Sequence, residues 1–170
     1  IDTWLPELLA ENPALITVHA RTRKEMSKVP ARWEEVRRAV AIRDAIPKGE
    51  PGHETLIFGN GDVVDLADAE KKALLSGADG IMLGRAIFGN PWLFSPKERP
   101  EKIADRLWVL VEHTHLFEKI LGKTKNFAIM KKHYKAYVNG WAGAKELRAR
   151  LMETESTEQV NAIIEEYIKT

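Results

Sequence analysis

Two glycine-containing segments hold the side chains best suited to bind a ligand. They span residues 58–62 and 80–85, and each directly follows an apolar, strand-like run. Glycine lets the backbone approach a ligand closely, Asn60 offers a side-chain amide, and Asp62 can accept a hydrogen bond from a hydroxyl. Arg85 can bind an oxyanion through two charge-assisted hydrogen bonds. The segments therefore predict a site for an anionic ligand.

The position of Gly84 and Arg85 after a strand indicates that the anion is a phosphate. Residues 86–89 are expected to form a half-turn of helix whose N-terminal N–H groups receive it. Two simpler interpretations stay open: Asn60 and Gly61 form a β-hairpin turn, or Arg85 is a surface residue on an ordinary turn. The hairpin needs a second strand, and only two valines follow before the helical residues begin.

A third strand-like run ends in His19, Arg21 and Arg23. A histidine is near neutral at about pH 7, so His19 can donate one hydrogen bond and accept another. The alternative interpretation is that His19 has only a structural role and that the two arginines are solvated surface residues. The other histidines lack metal-ligand partners at credible spacing, so we expect no metal site and interpret them as surface or helix-packing residues. They are His53, His113, His115 and His133.

The elements that must position these residues alternate between strand and helix in residues 1–97. β-branched, apolar runs predict strands at residues 15–18, 55–58 and 80–83. Strands separated by helices pair in parallel, and the loops after the last two strands of a (β/α)₈ barrel commonly hold a phosphate. We therefore predict an α/β fold in which this region is the C-terminal portion of a TIM barrel. Such a barrel takes about 250 residues, so we expect the chain to be a fragment whose missing half lies upstream.

From residue 98 to residue 170 the apolar spacing predicts helices only, in an all-α bundle. The predicted helices lie at residues 103–121, 127–138, 144–151 and 156–167. Gly140 is expected to cap the second of them.

Positive charge is concentrated in this helical region, although the formal net charge of the chain is only +1. Lys131, Lys132 and Lys135 alternate with Tyr134 and Tyr137. A basic face with aromatic residues is the electrostatic pattern expected for a nucleic-acid site. Lysines solvated on the outside of a bundle explain the same run equally well.

The composition limits the setting in which the protein works. No apolar run approaches the roughly 20 residues of a membrane span, so no membrane partner is expected. The chain has no cysteine, which excludes disulfides and thiolate metal ligands and agrees with a cytoplasmic location.

Three motifs together resemble the tRNA-dihydrouridine synthases. They are His-Ala-Arg-Thr-Arg at 19–23, Gly-Asn-Gly-Asp at 59–62, and Gly-Ala-Asp-Gly-Ile-Met-Leu-Gly-Arg-Ala-Ile-Phe-Gly-Asn-Pro-Trp-Leu-Phe at 77–94. The resemblance covers most of the chain. It implies the last strands of an FMN-binding barrel followed by the family's C-terminal helical domain.

The resemblance also implies a reaction. FMN is reduced by NADPH and passes a hydride to carbon 6 of a tRNA uracil, while a cysteine protonates carbon 5 of the flipped-out base. Arg21 and Arg23 would face the flavin rim or the RNA, and Lys131, Lys132 and Lys135 would grip tRNA phosphates. The implied FMN contacts are His19, Asn60, Gly61, Asp62, Gly84 and Arg85.

The cysteine of the family lies in the half that this chain lacks. We therefore assign no catalytic residue here, and expect the chain to need the upstream half of the barrel and to be inactive alone. Two other functions remain open. One is a different FMN-dependent TIM-barrel oxidoreductase that acts on a small molecule, and the other is a non-catalytic RNA-binding module.

Overall fold

A computed structural model describes residues 1–169, and its contacts divide the chain into two compact units, Ile1–Ala86 and Ile87–Thr170. The first unit contains α1 (Leu5–Ala10), β1 (Leu15–His19), α2 (Trp33–Asp44), β2 (Leu56–Asn60), α3 (Leu66–Ser76) and β3 (Gly80–Met82). A 3₁₀ helix, Arg85–Ile87, lies where the two units meet in the sequence. The second unit contains α4 (Ile103–Leu121), α5 (Ala128–Tyr137), α6 (Ala144–Met152) and α7 (Thr157–Lys169).

The three strands form one parallel sheet in the order β1-β2-β3. This confirms the parallel α/β pattern predicted from the sequence. The hairpin interpretation of Asn60 and Gly61 is wrong, because β2 is followed by a helix and pairs only with parallel neighbours in the described sheet. Each strand ends within a residue or two of its predicted end, since the glycines and polar residues stop the apolar pattern.

The helices of the first unit cover one face of the sheet. Val36, Ala39 and Val40 of α2 pack with Val18 and Ile57 in a continuous apolar core, and α2 contacts α3 as well as the strands. Parallel strands in sequential order with their helices on one side are the arrangement found in a (β/α)₈ barrel.

The opposite face of the sheet stays open. Because side chains alternate between faces along a strand, the residues beside the core positions point the other way. Leu15, Leu56 and Met82 lie there and are between 40% and 47% exposed. Parallel sheets are normally buried on both faces, so this apolar face lacks the cover that such a sheet needs.

Each end of α3 is set by a local capping contact. The side chain of Asp65 accepts a hydrogen bond of 2.7 Å from the Asp68 N–H, which is the expected N-cap geometry. Gly77 ends the helix with φ 72°, the left-handed conformation that favours glycine. These caps fix where β3 begins.

The second unit has its own core, formed by α4, α5, α6 and α7. Leu110, Tyr134, Leu147 and Ile164 represent the four helices in it and are almost completely buried. The predicted helices are confirmed with one correction. Gly140 does not cap α5, because the helix ends at Tyr137 with Val138 as its C-cap.

The boundary between the two units lies earlier in the chain than the boundary predicted from the sequence. The predicted boundary follows residue 97, whereas the compact units separate after Ala86. Gly89 explains why the intervening segment groups with the helices. A Cβ at Gly89 would lie 2.1 Å from the carbonyl oxygen of Ala136, so its backbone is tightly packed on α5.

Among residues 1–169, no helix combines the length and the apolar character that crossing a membrane requires.

Candidate functional site

A pocket of about 700 Å³ lies at the carboxyl ends of the three strands. The parallel register places His19 beside Asn60, and Asn60 beside Met82. We call this the rim pocket. Its lining includes His19, Arg21, Asn60, Gly61, Asp62, Gly84 and Arg85.

Asp62 is the electrostatic centre of the rim pocket. Its Oδ1 forms ion pairs with Arg21 and, at 2.9 Å, with Nη2 of Arg85. Its Oδ2 accepts a hydrogen bond of 3.0 Å from the Ala31 N–H. Two guanidinium groups facing one carboxylate leave a net positive charge, which suits an anionic ligand.

The two arginines have different roles in this cluster. The side chain of Arg21 is only 4% exposed and also donates to the Met26 carbonyl at 2.9 Å. The side chain of Arg85 is 68% exposed, and so most of its guanidinium group remains open to a ligand. Arg21 therefore positions Asp62, while Arg85 is the residue available to an incoming anion.

Asp62 should make the stability of the folded protein depend on pH in the acid range. Burial alone raises the pKa of Asp62, but hydrogen bonds from Arg21 and Ala31 and the Arg85 charge together hold it below its ordinary value of 3.8. A lowered pKa stabilises the fold above the unfolded value, and this contribution is lost as the pH falls through the folded value. Asp62→Asn should therefore reduce stability at about pH 6, and the deficit should shrink at about pH 3. Urea unfolding of both proteins measures this; a deficit independent of pH would contradict it.

The loop that carries Asp62 is held by contacts from outside the sheet. Trp33 Nε1 donates to the Gly61 carbonyl at 3.0 Å, and Lys72 Nζ donates to the Asp62 carbonyl at 2.8 Å. Gly61 has φ 136°, and a Cβ there would lie 3.0 Å from the Ala31 side chain. Only glycine fits this position without strain.

The second loop contributes backbone and open space. Asn60 Nδ2 donates to the Met82 carbonyl at 2.7 Å, which ties the ends of β2 and β3 together. A Cβ added to Gly84 would have no atom within 4 Å. The packing of the described residues therefore does not explain why this position is a glycine. The space beside it is open to a ligand in the rim pocket.

The structure brings together most of the residues predicted to bind a ligand. His19, Asn60, Gly61, Asp62, Gly84 and Arg85 all line the rim pocket, and Arg21 joins them. Arg23 is exposed and lies outside the lining. The predicted half-turn of helix exists as the 3₁₀ helix that begins at Arg85.

The lysines of α5 lie outside the face of the helix that packs in the core. Met130, Tyr134 and Tyr137 are buried, whereas Lys132 and Lys135 are exposed and Lys131 is half-buried. The helix thus presents two or three lysines to solvent without any acidic residue of its own.

Several contributors to these sites were missed by sequence reasoning. Trp33 is one of them, because its ring N–H holds the Gly61 loop. His113 and His133 were interpreted as packing residues, although both line a second pocket, in the helical unit. No local pattern marks these roles, because each depends on residues far apart in the sequence.

The part of the chain that the structure describes holds no group of three or more His, Asp or Glu residues placed to bind a metal ion.

Comparison with known proteins gives a consistent result. The family model described as dihydrouridine synthase matches residues 10–170. The chain belongs to the dihydrouridine synthase family. A "Probable tRNA-dihydrouridine synthase" of Staphylococcus epidermidis is 36% identical over 165 residues, which are 96% of this chain and 49% of the relative. A protein of the same name from Staphylococcus aureus has the same identity and coverage. The "Probable tRNA-dihydrouridine synthase 2" of Bacillus subtilis is 34% identical over 165 residues.

The chain spans about half the length of the curated relatives it matches. The matched part is their C-terminal half. The family membership confirms the resemblance recognised from the three sequence motifs.

Proposed function

We propose that this chain is the C-terminal part of an FMN-dependent tRNA-dihydrouridine synthase that uses NADPH to reduce uridine in tRNA. The observation that carries the proposal is the rim pocket, where Arg85, Asp62 and Gly84 meet at the carboxyl ends of parallel strands. Ligands of (β/α)₈ barrels bind at this end of the sheet. The names of the relatives support tRNA as the substrate.

The residues of the rim pocket fit the phosphate end of FMN. Arg85 would bind the phosphate through its exposed guanidinium group, and the missing side chain of Gly84 would let the phosphate approach the backbone. Nε of Arg21 is buried and has no hydrogen-bond partner among residues 1–169. A buried unpaired donor is unfavourable, and this one belongs to a residue of the pocket lining. When bound, the flavin supplies hydride transfer between NADPH and carbon 6 of the uracil ring.

His19 and Asn60 would contact FMN beside the phosphate. Both lie at strand ends on the open face of the sheet, paired in register. Neutral histidine and amide groups can donate to the carbonyl oxygens or accept from the N–H of a flavin ring.

The open apolar face of the sheet supports the need for an upstream half. In a barrel this face is the interior and is filled by side chains from all eight strands. We infer that upstream strands cover Leu15, Leu56 and Met82 and complete the flavin pocket. Because the chain has no cysteine, the proton donor for carbon 5 would come from the same upstream half.

The helical unit would bind tRNA through the lysines of α5. Phosphate contacts from Lys131, Lys132 and Lys135 would orient the RNA without reading its sequence. Since tRNA is the proposed substrate, we place the protein in the cytoplasm.

The flavin part of the proposal is tested with the chain fused behind the N-terminal half of the Staphylococcus epidermidis relative. The fusion should be yellow and retain FMN. Arg85→Ala should weaken FMN binding by about 1.5–3 kcal/mol, or roughly 10- to 150-fold, because a charge-assisted hydrogen bond to phosphate is lost. Arg37→Ala, which removes an exposed arginine of α2, is the control and should bind FMN normally. Equal FMN affinity in both variants would remove Arg85 from the site.

Gly84→Ala separates ligand binding from folding in the same fusion. The added Cβ meets no atom of the chain, so the melting temperature should not change. It would occupy space needed by the phosphate, and overpacking costs about 1–3 kcal/mol, or roughly 5- to 150-fold in FMN affinity. Gly61→Ala should lower both the melting temperature and FMN affinity, because its φ of 136° requires glycine. A Gly84→Ala fusion with full FMN affinity would place the phosphate elsewhere.

A further inference from the structure

The second pocket, of about 480 Å³, belongs entirely to the helical unit and has no part in the flavin site. We call it the aromatic pocket. Residues that line it include Phe88, Glu112, His113, Leu116, His133 and Tyr137. Its volume lies in the range of about 300–1,000 Å³ that is common for small-ligand sites.

The rings of the aromatic pocket contact one another at steep angles, edge-on for Phe88 with His133 and tilted for His113 with His133. The Phe88 and His133 rings are 5.4 Å apart at 81°, and the His113 and His133 rings are 5.0 Å apart at 57°. None of these pairs is stacked face to face, so no ring face is covered by a parallel neighbour. Phe88 is 49% exposed, so part of its ring is open to a ligand.

Phe88 is held in this position by its neighbour. The backbone of Gly89 lies so close to Ala136 and Tyr137 of α5 that no side chain fits there. The fixed loop places the Phe88 ring against His133 on the same helix. The exposed ring is therefore presented by a rigid contact rather than by a loose loop end.

Hydrogen-bonding groups are arranged around the rings. His113 Nδ1 lies 3.2 Å from the Tyr137 hydroxyl, which fixes the orientation of the imidazole. Burial lowers the pKa of His113, and burial, His113 and Lys132 lower the pKa of His133. Both rings are thus neutral near pH 7, and each offers a donor and an acceptor. The carboxylate of Glu112 adds an acceptor.

Positive charge lies close to the pocket through Lys132, which lowers the pKa of His133, while Glu112 is an acidic residue of the lining. His133 lies on α5 between Lys132 and Lys135, and no acidic residue occurs from residue 120 to residue 145. A ligand whose planar ring enters the aromatic pocket while its anionic backbone follows the lysines matches both features. A nucleotide within an RNA strand has this combination.

We propose that the aromatic pocket binds one unstacked nucleobase of the RNA, in addition to the uridine that is modified. The base would stack on the exposed ring of Phe88, and its edge would bond to His113, His133 or Glu112. Proteins read unpaired RNA bases in this way, with aromatic faces and edge hydrogen bonds. This inference rests on the proposed tRNA substrate but involves none of the residues of the rim pocket.

The test compares short RNA strands of equal charge on the complete 170-residue chain. Labelled oligouridylate and oligoadenylate are titrated beside an abasic strand of the same length, and binding is followed by fluorescence anisotropy. At least one base-bearing strand should bind roughly 5- to 150-fold more tightly than the abasic strand, the range found for stacking one base on an aromatic side chain. Upon its addition, the His133 Cε1–H signal should shift in NMR spectra, and the His53 signal should not.

Variants assign the preference to the pocket. Phe88→Leu keeps the apolar volume but removes the ring, so it should abolish most of the preference for bases. Phe94→Leu is the matched control, because Phe94 is 62% exposed and lies outside the pocket lining. A circular dichroism melt checks that both variants fold. Equal binding of base-bearing and abasic strands, or a preference that survives Phe88→Leu, would overturn the inference.

The two proposals fail in different ways. If the fusion retains FMN in an Arg85-dependent way but the chain shows no base preference, only the inference about the aromatic pocket is overturned. Loss of FMN retention with an intact, Phe88-dependent base preference would overturn the synthase proposal and leave an RNA-binding module.

Discussion

Mixed with FMN, NADPH and unmodified tRNA, the 170-residue chain is expected to form no dihydrouridine. Carbon 5 of the uracil needs a proton donor, which the family resemblance assigns to a cysteine, and this chain contains none. The rim pocket is also open where Met82 of its lining, 47% exposed, faces solvent, so a flavin ring would not be enclosed. Mass spectrometry of the digested tRNA measures the product directly.

Supplying the N-terminal half of the relative as a fusion is the control for this experiment. The same tRNA and reagents should then give product, which shows that the reagents are competent. Any chain-dependent gain of two hydrogens on uridine without the upstream half would contradict the account. It would mean that the proton donor lies among residues of this chain.

Replacing Lys131, Lys132 and Lys135 together by alanine should weaken tRNA binding and make it less dependent on salt. Each phosphate contact that is lost removes about 0.7–0.9 from the slope of log K against log salt, because fewer condensed counterions are released. The triple variant should therefore flatten this slope by about two to three units. Affinity should fall for all tRNAs alike, since phosphate contacts carry no sequence information. Filter binding over a salt series provides both quantities.

Three exposed lysines of the first unit provide a matched control. Lys24, Lys48 and Lys71 are all exposed, and their combined replacement changes the net charge by the same amount. This variant should keep the slope of the unmodified protein. If both triple variants lose the same slope, or neither loses any, the lysines of α5 are ordinary solvated residues.

The sequence determined the elements and their order more completely than the contacts between them. The parallel sheet, the Asp65 cap and the Gly77 helix end were predictable because each depends on local chemistry or on a period. The prediction that Gly140 caps α5 is wrong, since the helix stops at Tyr137 and leaves the glycine outside it.

The candidate site was predictable as a set of positions but not as a network. Strand ends in a parallel sheet lie on one edge, which is why His19, Asn60 and Asp62 could be assigned to one rim. Side-chain direction is not contained in that pattern. Arg21 and Arg23 are equivalent in the motif, but Arg21 is buried against Asp62 and Arg23 is exposed.

The aromatic pocket shows the same limit in the helical unit. His113 and His133 are 20 residues apart, on α4 and α5, and only the packing of these helices brings their rings within 5.0 Å. Phe88 joins them through the close approach of Gly89 to α5. The pocket could not be predicted from the sequence alone, because the sequence does not show which helices are in contact.

The most direct test of the account is tRNA modification by the fusion protein that retains FMN. With NADPH present, the account predicts a gain of two hydrogens on uridine in tRNA, and it predicts that Arg85→Ala lowers the yield at limiting FMN while Arg37→Ala does not. A fusion that binds FMN and oxidises NADPH but leaves tRNA unmodified would contradict the account. It would instead assign the pocket to a flavin oxidoreductase that acts on a small molecule.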